Sequence, residues 1–172
     1  MNPRLDTLQP YPFEKLRLLL AQAGTAPAGL RAINLSIGEP KHAAPQCVKD
    51  AMVGALDGLS VYPPTKGDLK LREAISQWIG KRYSIPCPNP ETQVLPVLGS
   101  REALFSFAQV VLDSTKNGIV VCPNPFYQIY EGAALLGGAT PYYVNSDPKL
   151  NFGCDWSTVP NEIWARTQLL FI

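Results

Sequence analysis

Residues 94–127, VLPVLGSREALFSFAQVVLDSTKNGIVVCPNPFY, decide the fold. Val94–Leu98 is a short apolar run that reads as a strand. Gly99-Ser100 then leads into a helix with Leu104, Phe105, Ala108, Val111 and Leu112 inward. Asn117-Gly118 turns the chain into Ile119-Val-Val-Cys122, a continuous apolar strand of the kind covered on both faces. A second helix, from about Phe126, closes at Gly137-Gly138, where glycine takes the left-handed C-terminal position. Further strands are expected near Pro141–Val144 and at Thr167–Ile172, with a short helix near Val159–Ala165 between them. This β-α-β-α-β order predicts an α/β fold with a mainly parallel sheet.

Upstream, the first 30 or so residues read as an arm. It has a Pro-Tyr-Pro turn at 10–12 and a short helix with Phe13, Leu16, Leu19 and Leu20 on one face. Residues 32–37 alternate with period two and read as a short strand ended by Gly38-Glu39-Pro40. Pro45 opens a helix carrying Val48, Met52, Ala55, Leu56 and Leu59. Asp68 is the expected N-cap of another, with Leu71, Ile75, Trp78 and Ile79 as its apolar stripe. Tyr62-Pro-Pro-Thr-Lys-Gly67 joins the two as a loop.

Composition narrows the function. The 172 residues are 46% hydrophobic and 17% charged, with a net charge of +1, so no electrostatic footprint for nucleic acid or an anionic membrane surface is present. No apolar run approaches the roughly 20 residues needed to span a bilayer, and the N-terminus has no signal-peptide core, so a cytoplasmic location is expected. The four cysteines (Cys47, Cys87, Cys122, Cys154) form no C-x-x-C pair, and the one histidine, His42, has no partner pattern for nucleophilic catalysis. No metal site is expected.

Four places carry candidate chemistry. Gly99-Ser100-Arg101-Glu102 lies where a strand hands over to a helix, and unpaired N–H groups with a partial positive charge make such a terminus an anion site. Serine there is also a common N-cap. Tyr127, after the next strand, can lie flat against a heteroaromatic ring or pack with Tyr130 at the helix start. Tyr62 is either a turn anchor or a hydroxyl that reaches a phosphate, and Gly38 either a turn or an N–H offered to a carboxylate. Lys116 stands in Asp113-Ser-Thr-Lys116 before Asn117-Gly118. That is a solvated helix end, and no other lysine is placed for covalent catalysis.

Together and in order, these pieces resemble the class I, fold-type I pyridoxal-phosphate-dependent aminotransferases. The match runs over essentially the whole chain. Ile33-Asn-Leu-Ser-Ile-Gly-Glu-Pro40 resembles the substrate-carboxylate turn, which gives that role to Gly38. Tyr62, followed by Gly67 and Leu71-Arg72, is similar to a Tyr-x4-Gly-x3-Leu-Arg pattern whose tyrosine reaches across a homodimer interface to the partner's cofactor phosphate. Gly99-Ser100-Arg101-Glu102-Ala103 resembles the phosphate-binding turn, implying Ser100, Arg101 and Glu102, and Pro123-Asn-Pro-Phe-Tyr127 the segment whose aromatic stacks on the pyridine ring. Within the class, residues 9–16, Gly38–His42 and Cys122–Gly132 are most similar to the succinyldiaminopimelate transaminases, which use glutamate as amino donor to N-succinyl-2-amino-6-oxopimelate. Other keto acids, and a non-catalytic phosphate-binding α/β module, are the alternatives.

The resemblance implies an N-terminal arm and small-domain segment at 1–43. It also implies an incomplete large domain at 44–172, ending after the last strand. The family's Asn-Pro-x-Gly turn, pyridine-pairing aspartate, Schiff-base lysine and C-terminal arginine have no counterparts in these residues. The 172-residue chain alone is therefore expected not to transaminate. Keto-acid amination by the purified chain with pyridoxal phosphate should stay at background, and turnover above it would overturn the expectation.

Overall fold

The computed structural model describes residues 1–24, 29–30, 33 and 35–172. In chain order its elements are helices α1 (Pro12–Gln22), α2 (Gln46–Gly54), α3 (Leu69–Tyr83) and α4 (Ser100–Val111), strand β1 (Ile119–Asn124), helix α5 (Ile129–Leu136), strands β2 (Thr140–Asp147) and β3 (Gly153–Cys154), helix α6 (Asn161–Trp164) and strand β4 (Thr167–Leu170). The chain divides into two compact units. One comprises Met1–Ala23 with Val97–Ile172, the other Gly24–Pro96.

The first unit is built on a four-stranded sheet in the order β3-β2-β1-β4. β1 pairs in parallel with β2 on one side and β4 on the other, and β3 adds antiparallel to β2. Residues 119–122 are buried throughout, and their alternation feeds two cores. Val120 and Cys122 face α4 and α5, packing with Ala108, Ala133, Ala134 and Phe171. Ile119 and Val121 face the other way, packing with Val144 and Val159 under Trp156 and Trp164. Side chains that alternate across a pleat give a central strand both of its covered faces. The two helices approach closely because α5 presents small residues. A Cβ on Gly137 would stand 2.6 Å from Cδ1 of Leu112. Gly138 takes φ +80°, as its place after the last helical turn demands.

The α/β reading of this unit holds, with two differences in detail. α5 begins at Ile129 rather than Phe126, after a turn through Pro125. Val94–Leu98 is not a strand. Pro96 has no N–H to give to a ladder, Leu95 and Leu98 are exposed, and the run has no regular structure and bends at Leu98.

In the second unit, Asp68 caps α3 as expected, its carboxylate accepting from the Lys70 amide at 2.8 Å. The stripe read from sequence is only partly covered, with Ile75 and Ile79 half-buried. Leu71 and Trp78 are exposed, while Arg72, Ser76 and Gly80 are buried against residues 85–93. The expected strand at 32–37 falls partly outside the described residues, since 32 and 34 are not among them. Residues 36–37 form a bend, and Leu35 and Ile37 are exposed. The helix opened by Pro45 stops at Gly54 and continues as a 3-10 turn at Leu56–Ser60.

The Gly24–Pro96 unit leaves large apolar side chains exposed, including Leu59 and Val61. Among the described residues no helix is long and apolar enough to cross a membrane.

Phe171 is 6% exposed and its ring stacks on Tyr130 with centroids 4.1 Å apart. Phe171→Ala should destabilise the sheet unit by about 3–5 kcal/mol, read from chemical denaturation followed by circular dichroism.

Candidate functional site

Parallel strands set where the site is. At its C-terminal end α4 meets the amino ends of the strands, where the Asp113 amide donates to the Gln168 side chain at 2.8 Å. Twelve helical residues rise about 18 Å, so the N-terminus of α4 lies toward the carboxyl ends of the strands. Tyr127 follows directly from the carboxyl end of β1, where the Asn124 side-chain amide donates to Asn145 of β2 at 2.7 Å. An open groove of about 260 Å³ there is lined by Arg101, Glu102, Phe105 and Ser106 of α4 and by Ile129 of α5. Ser100, Arg101, Glu102 and Tyr127 are thus gathered at one sheet edge.

The α4 terminus has no side-chain cap, as at α1, α2, α5 and α6, and is set apart by a glycine at the N-cap position. Gly99 occupies the N-cap position with φ +121° and makes no side-chain bond, having no side chain. The first intrahelical bond runs from the Ala103 amide to the Gly99 carbonyl at 3.1 Å. The amides of Ser100, Arg101 and Glu102 therefore precede any intrahelical acceptor. Ser100 is the first helical residue and does not serve as the cap. Glycine is required here by the backbone conformation, and the Glu102 carboxylate, 2.5 Å from where a Cβ would lie, is the movable end of a flexible side chain. Three free amides, a hydroxyl and a guanidinium make a seat for an oxyanion. The Glu102 carboxylate lies over Gly99, where a dianion would repel it. Its backbone amide belongs to the seat, and its flexible side chain has to swing aside before a dianion can bind there.

Two contacts were not legible in the sequence. The Arg101 guanidinium sits over the Tyr11 ring at 6.0 Å, bringing the N-terminal arm to the start of α4 across 90 residues of chain. Arg4 anchors the same arm by donating to the Leu136 carbonyl at 3.2 Å. Behind Tyr127 runs a column of rings. Tyr127 meets Tyr130 edge to face at 5.9 Å, and Tyr130 stacks on Phe171. One edge of Tyr127 is thereby fixed while the residue stays 43% exposed.

The other expected residues lie in the Gly24–Pro96 unit. Tyr62 is almost wholly exposed, and Gly38 is exposed with open space where a Cβ would be. Lys116 sits at the opposite edge of the sheet, before β1, its ammonium 3.3 Å from the Asp113 carboxylate. The Thr115 hydroxyl and amide, ahead of Lys116, hold that carboxyl below its usual range. This is an exposed ion pair well away from the α4 terminus, in keeping with the non-catalytic reading of Lys116. Among the described residues no group of three or more His, Cys, Asp or Glu side chains could hold a metal ion.

Cys122 and Tyr143 are neighbours in the β1–β2 ladder. The Tyr143 hydroxyl donates to Glu131, and burial followed by that carboxylate pushes its pKa up. Burial, reinforced by Glu131, raises the Cys122 thiol to about 12.

Residues 31–172 match the family described as aminotransferase class I and II. The LL-diaminopimelate aminotransferases of Dehalococcoides mccartyi and Aquifex aeolicus are each 28% identical. Those matches cover 100% and 99% of this chain and 44% and 43% of the relatives, so the chain spans less than half their length. Among solved structures, an aminotransferase of Neisseria meningitidis is 45% identical with a TM-score of 0.91, covering 100% of this chain and 44% of that one. An aminotransferase of Helicobacter pylori is 32% identical with a TM-score of 0.83, covering 95% and 41%.

At pH 8 the exposed Cys47 and Cys87 should react readily with a chromogenic disulfide reagent, whereas Cys122 should react only on unfolding. The raised thiol makes its share of stability complete below the ordinary value of 9.0, and that share is lost as pH climbs toward about 12. Fast labelling of Cys122 in the folded chain, located by peptide mass mapping, would contradict this.

Proposed function

The chain belongs to the class I and II aminotransferases, and from that premise we propose that it is the N-terminal portion of an enzyme that moves an amino group from glutamate to a keto acid of the diaminopimelate type. The finer reading takes N-succinyl-2-amino-6-oxopimelate as that acceptor. The relatives named LL-diaminopimelate aminotransferase support the coarser substrate class. The succinyl group rests on the motif resemblance at 9–16, 38–42 and 122–132. The observation that carries the proposal is the uncapped α4 terminus beside an exposed Tyr127.

The family uses pyridoxal phosphate, whose pyridine ring supplies an electron sink for loss of an amino acid's α-proton. The residues present fit its phosphate. Three amides after Gly99 lack intrahelical acceptors, and the Glu102 carboxylate now beside Gly99 is the end of a flexible side chain that can make way. In this reading the Ser100 and Glu102 amides and the Ser100 hydroxyl hold the phosphate oxygens. Arg101 neutralises part of the dianion's charge, with the Tyr11 ring over its guanidinium. Tyr127 offers one face to the pyridine ring, and Tyr130 keeps its edge in place. Tyr62 reaches the phosphate of the partner subunit in a homodimer, and the Gly38 amide helps orient the substrate carboxylate. The same reading divides the chain into an arm and small-domain segment (1–43) and part of the cofactor-binding large domain (44–172), in a cytoplasmic enzyme.

A phosphate-binding module without catalysis would need the α4 terminus but not Tyr127. Titrating the full-length chain with pyridoxal phosphate, pyridoxal and AMP separates the two. Pyridoxal phosphate should bind at least tenfold more tightly than either other ligand, and Arg101→Met should cost about tenfold of that affinity. Equal affinity for AMP and indifference to Tyr127→Ala would favour the non-catalytic module.

A further inference from the structure

The most deeply buried line on helix α3 is Arg72, Ser76 and Gly80, with Ile75 and Ile79 only half-buried beside it. The Arg72 side chain is 7% exposed, Nη1 donates to the Pro90 carbonyl and stands 3.3 Å from Oε2 of Glu91. One turn on, the Ser76 hydroxyl donates to the Pro88 carbonyl. One turn further, a Cβ on Gly80 would stand 2.6 Å from the Cys87 sulfur. Residues 87–91 are thereby drawn flat onto the helix at three successive levels. Arg72 is costly in this position, because a guanidinium taken out of water must recover its hydration from fixed partners, and its Nε has none. A buried apolar side chain would cover the segment without that cost. It would lack the charged Nη1 that addresses the Pro90 carbonyl and the Glu91 carboxylate together.

The same segment also grips the loop ahead of α3. Glu91 faces Lys66 at 4.0 Å. Pro96 packs on Gly67, its Cγ 3.0 Å from where a Cβ would lie, and Gly67 has φ +79° and donates to the Pro64 carbonyl at 2.8 Å. Lys66 and Gly67 close the loop that carries Tyr62. Among the described residues no hydrogen bond or ring contact holds the Tyr62 side chain itself, which is 94% exposed. Where its hydroxyl stands is set by how its loop is tied down.

We propose that Arg72 is a positioning residue for Tyr62. By gripping Pro90 and Glu91 it seats the 88–96 segment against Lys66 and Gly67, and so fixes where the loop presents the Tyr62 hydroxyl to the partner subunit's cofactor phosphate. This rests on the role given to Tyr62 under Proposed function.

A double-mutant cycle in the full-length dimer tests it, reading the pyridoxal phosphate dissociation constant by titration of apoprotein. Tyr62→Phe should weaken binding about tenfold, the scale of one hydrogen bond to a charged group. Arg72→Met should weaken it by a similar factor, and the double variant should be no worse than either single one. Hydrogen exchange should quicken at Gly67 in Arg72→Met while the middle of α3 stays protected. If Arg72→Met does not yield folded protein, Glu91→Gln, half exposed at the other side of the pair, carries the same cycle with a smaller loss. Losses that multiply in the double variant, or an Arg72→Met protein with unchanged affinity, would overturn the positioning role and leave Tyr62 in place. Unchanged affinity in Tyr62→Phe would instead remove the role of Tyr62 and the inference with it.

Discussion

Three parallel strands side by side constrain everything else in the sheet unit. Parallel neighbours oblige each connecting helix to run back against the strands. The starts of the helices packed against them and the exits of β1, β2 and β4 then land on the same edge. The free amides of α4 and the exposed ring of Tyr127 meet there because β1, β2 and β4 point one way. The edge is electrostatically positive where α4 begins, aromatic where β1 ends, and polar where Asn124 and Asn145 bridge two strands. The family whose pattern the chain matches uses a cofactor with these same parts: an anion, a flat ring and polar substituents.

How much of this could be read from residues alone depended on whether the signal was local. Residues 119–122 announced a doubly covered strand because four consecutive apolar side chains must find two faces to bury. Asp68 and Gly138 announced helix ends because capping and left-handed backbone are one-residue requirements. Gly99-Ser100-Arg101 pointed to an anion seat for the same reason, although glycine rather than serine proved to be the cap.

What escaped was non-local. Val94–Leu98 has a strand's composition, yet strand status needs a neighbour, and apolarity does not say where one is. On α3, the stripe of Leu71 and Trp78 obeys helical periodicity while the helix buries Arg72 and Ser76. Periodicity reports which face would gain from burial, and the carbonyls of residues 88 and 90 decided which face is buried here. The meeting of Tyr11 with Arg101 has no sequence signature, because a cation over a ring depends on the path of an arm that began 90 residues earlier.

The stacked rings of Tyr130 and Phe171 have a consequence for how the chain can vary. With an interplanar angle of 4° and centroids 4.1 Å apart, the two rings lie flat against each other. Tyr127 leans on that pair by its edge. The orientation of an exposed ring at the mouth of the groove is therefore registered, through two stacked rings, to Phe171, the residue that follows β4. A residue at 171 that is flat but of another outline would preserve the lean, whereas a branched aliphatic of equal volume would fill the core and still let the outer ring swing.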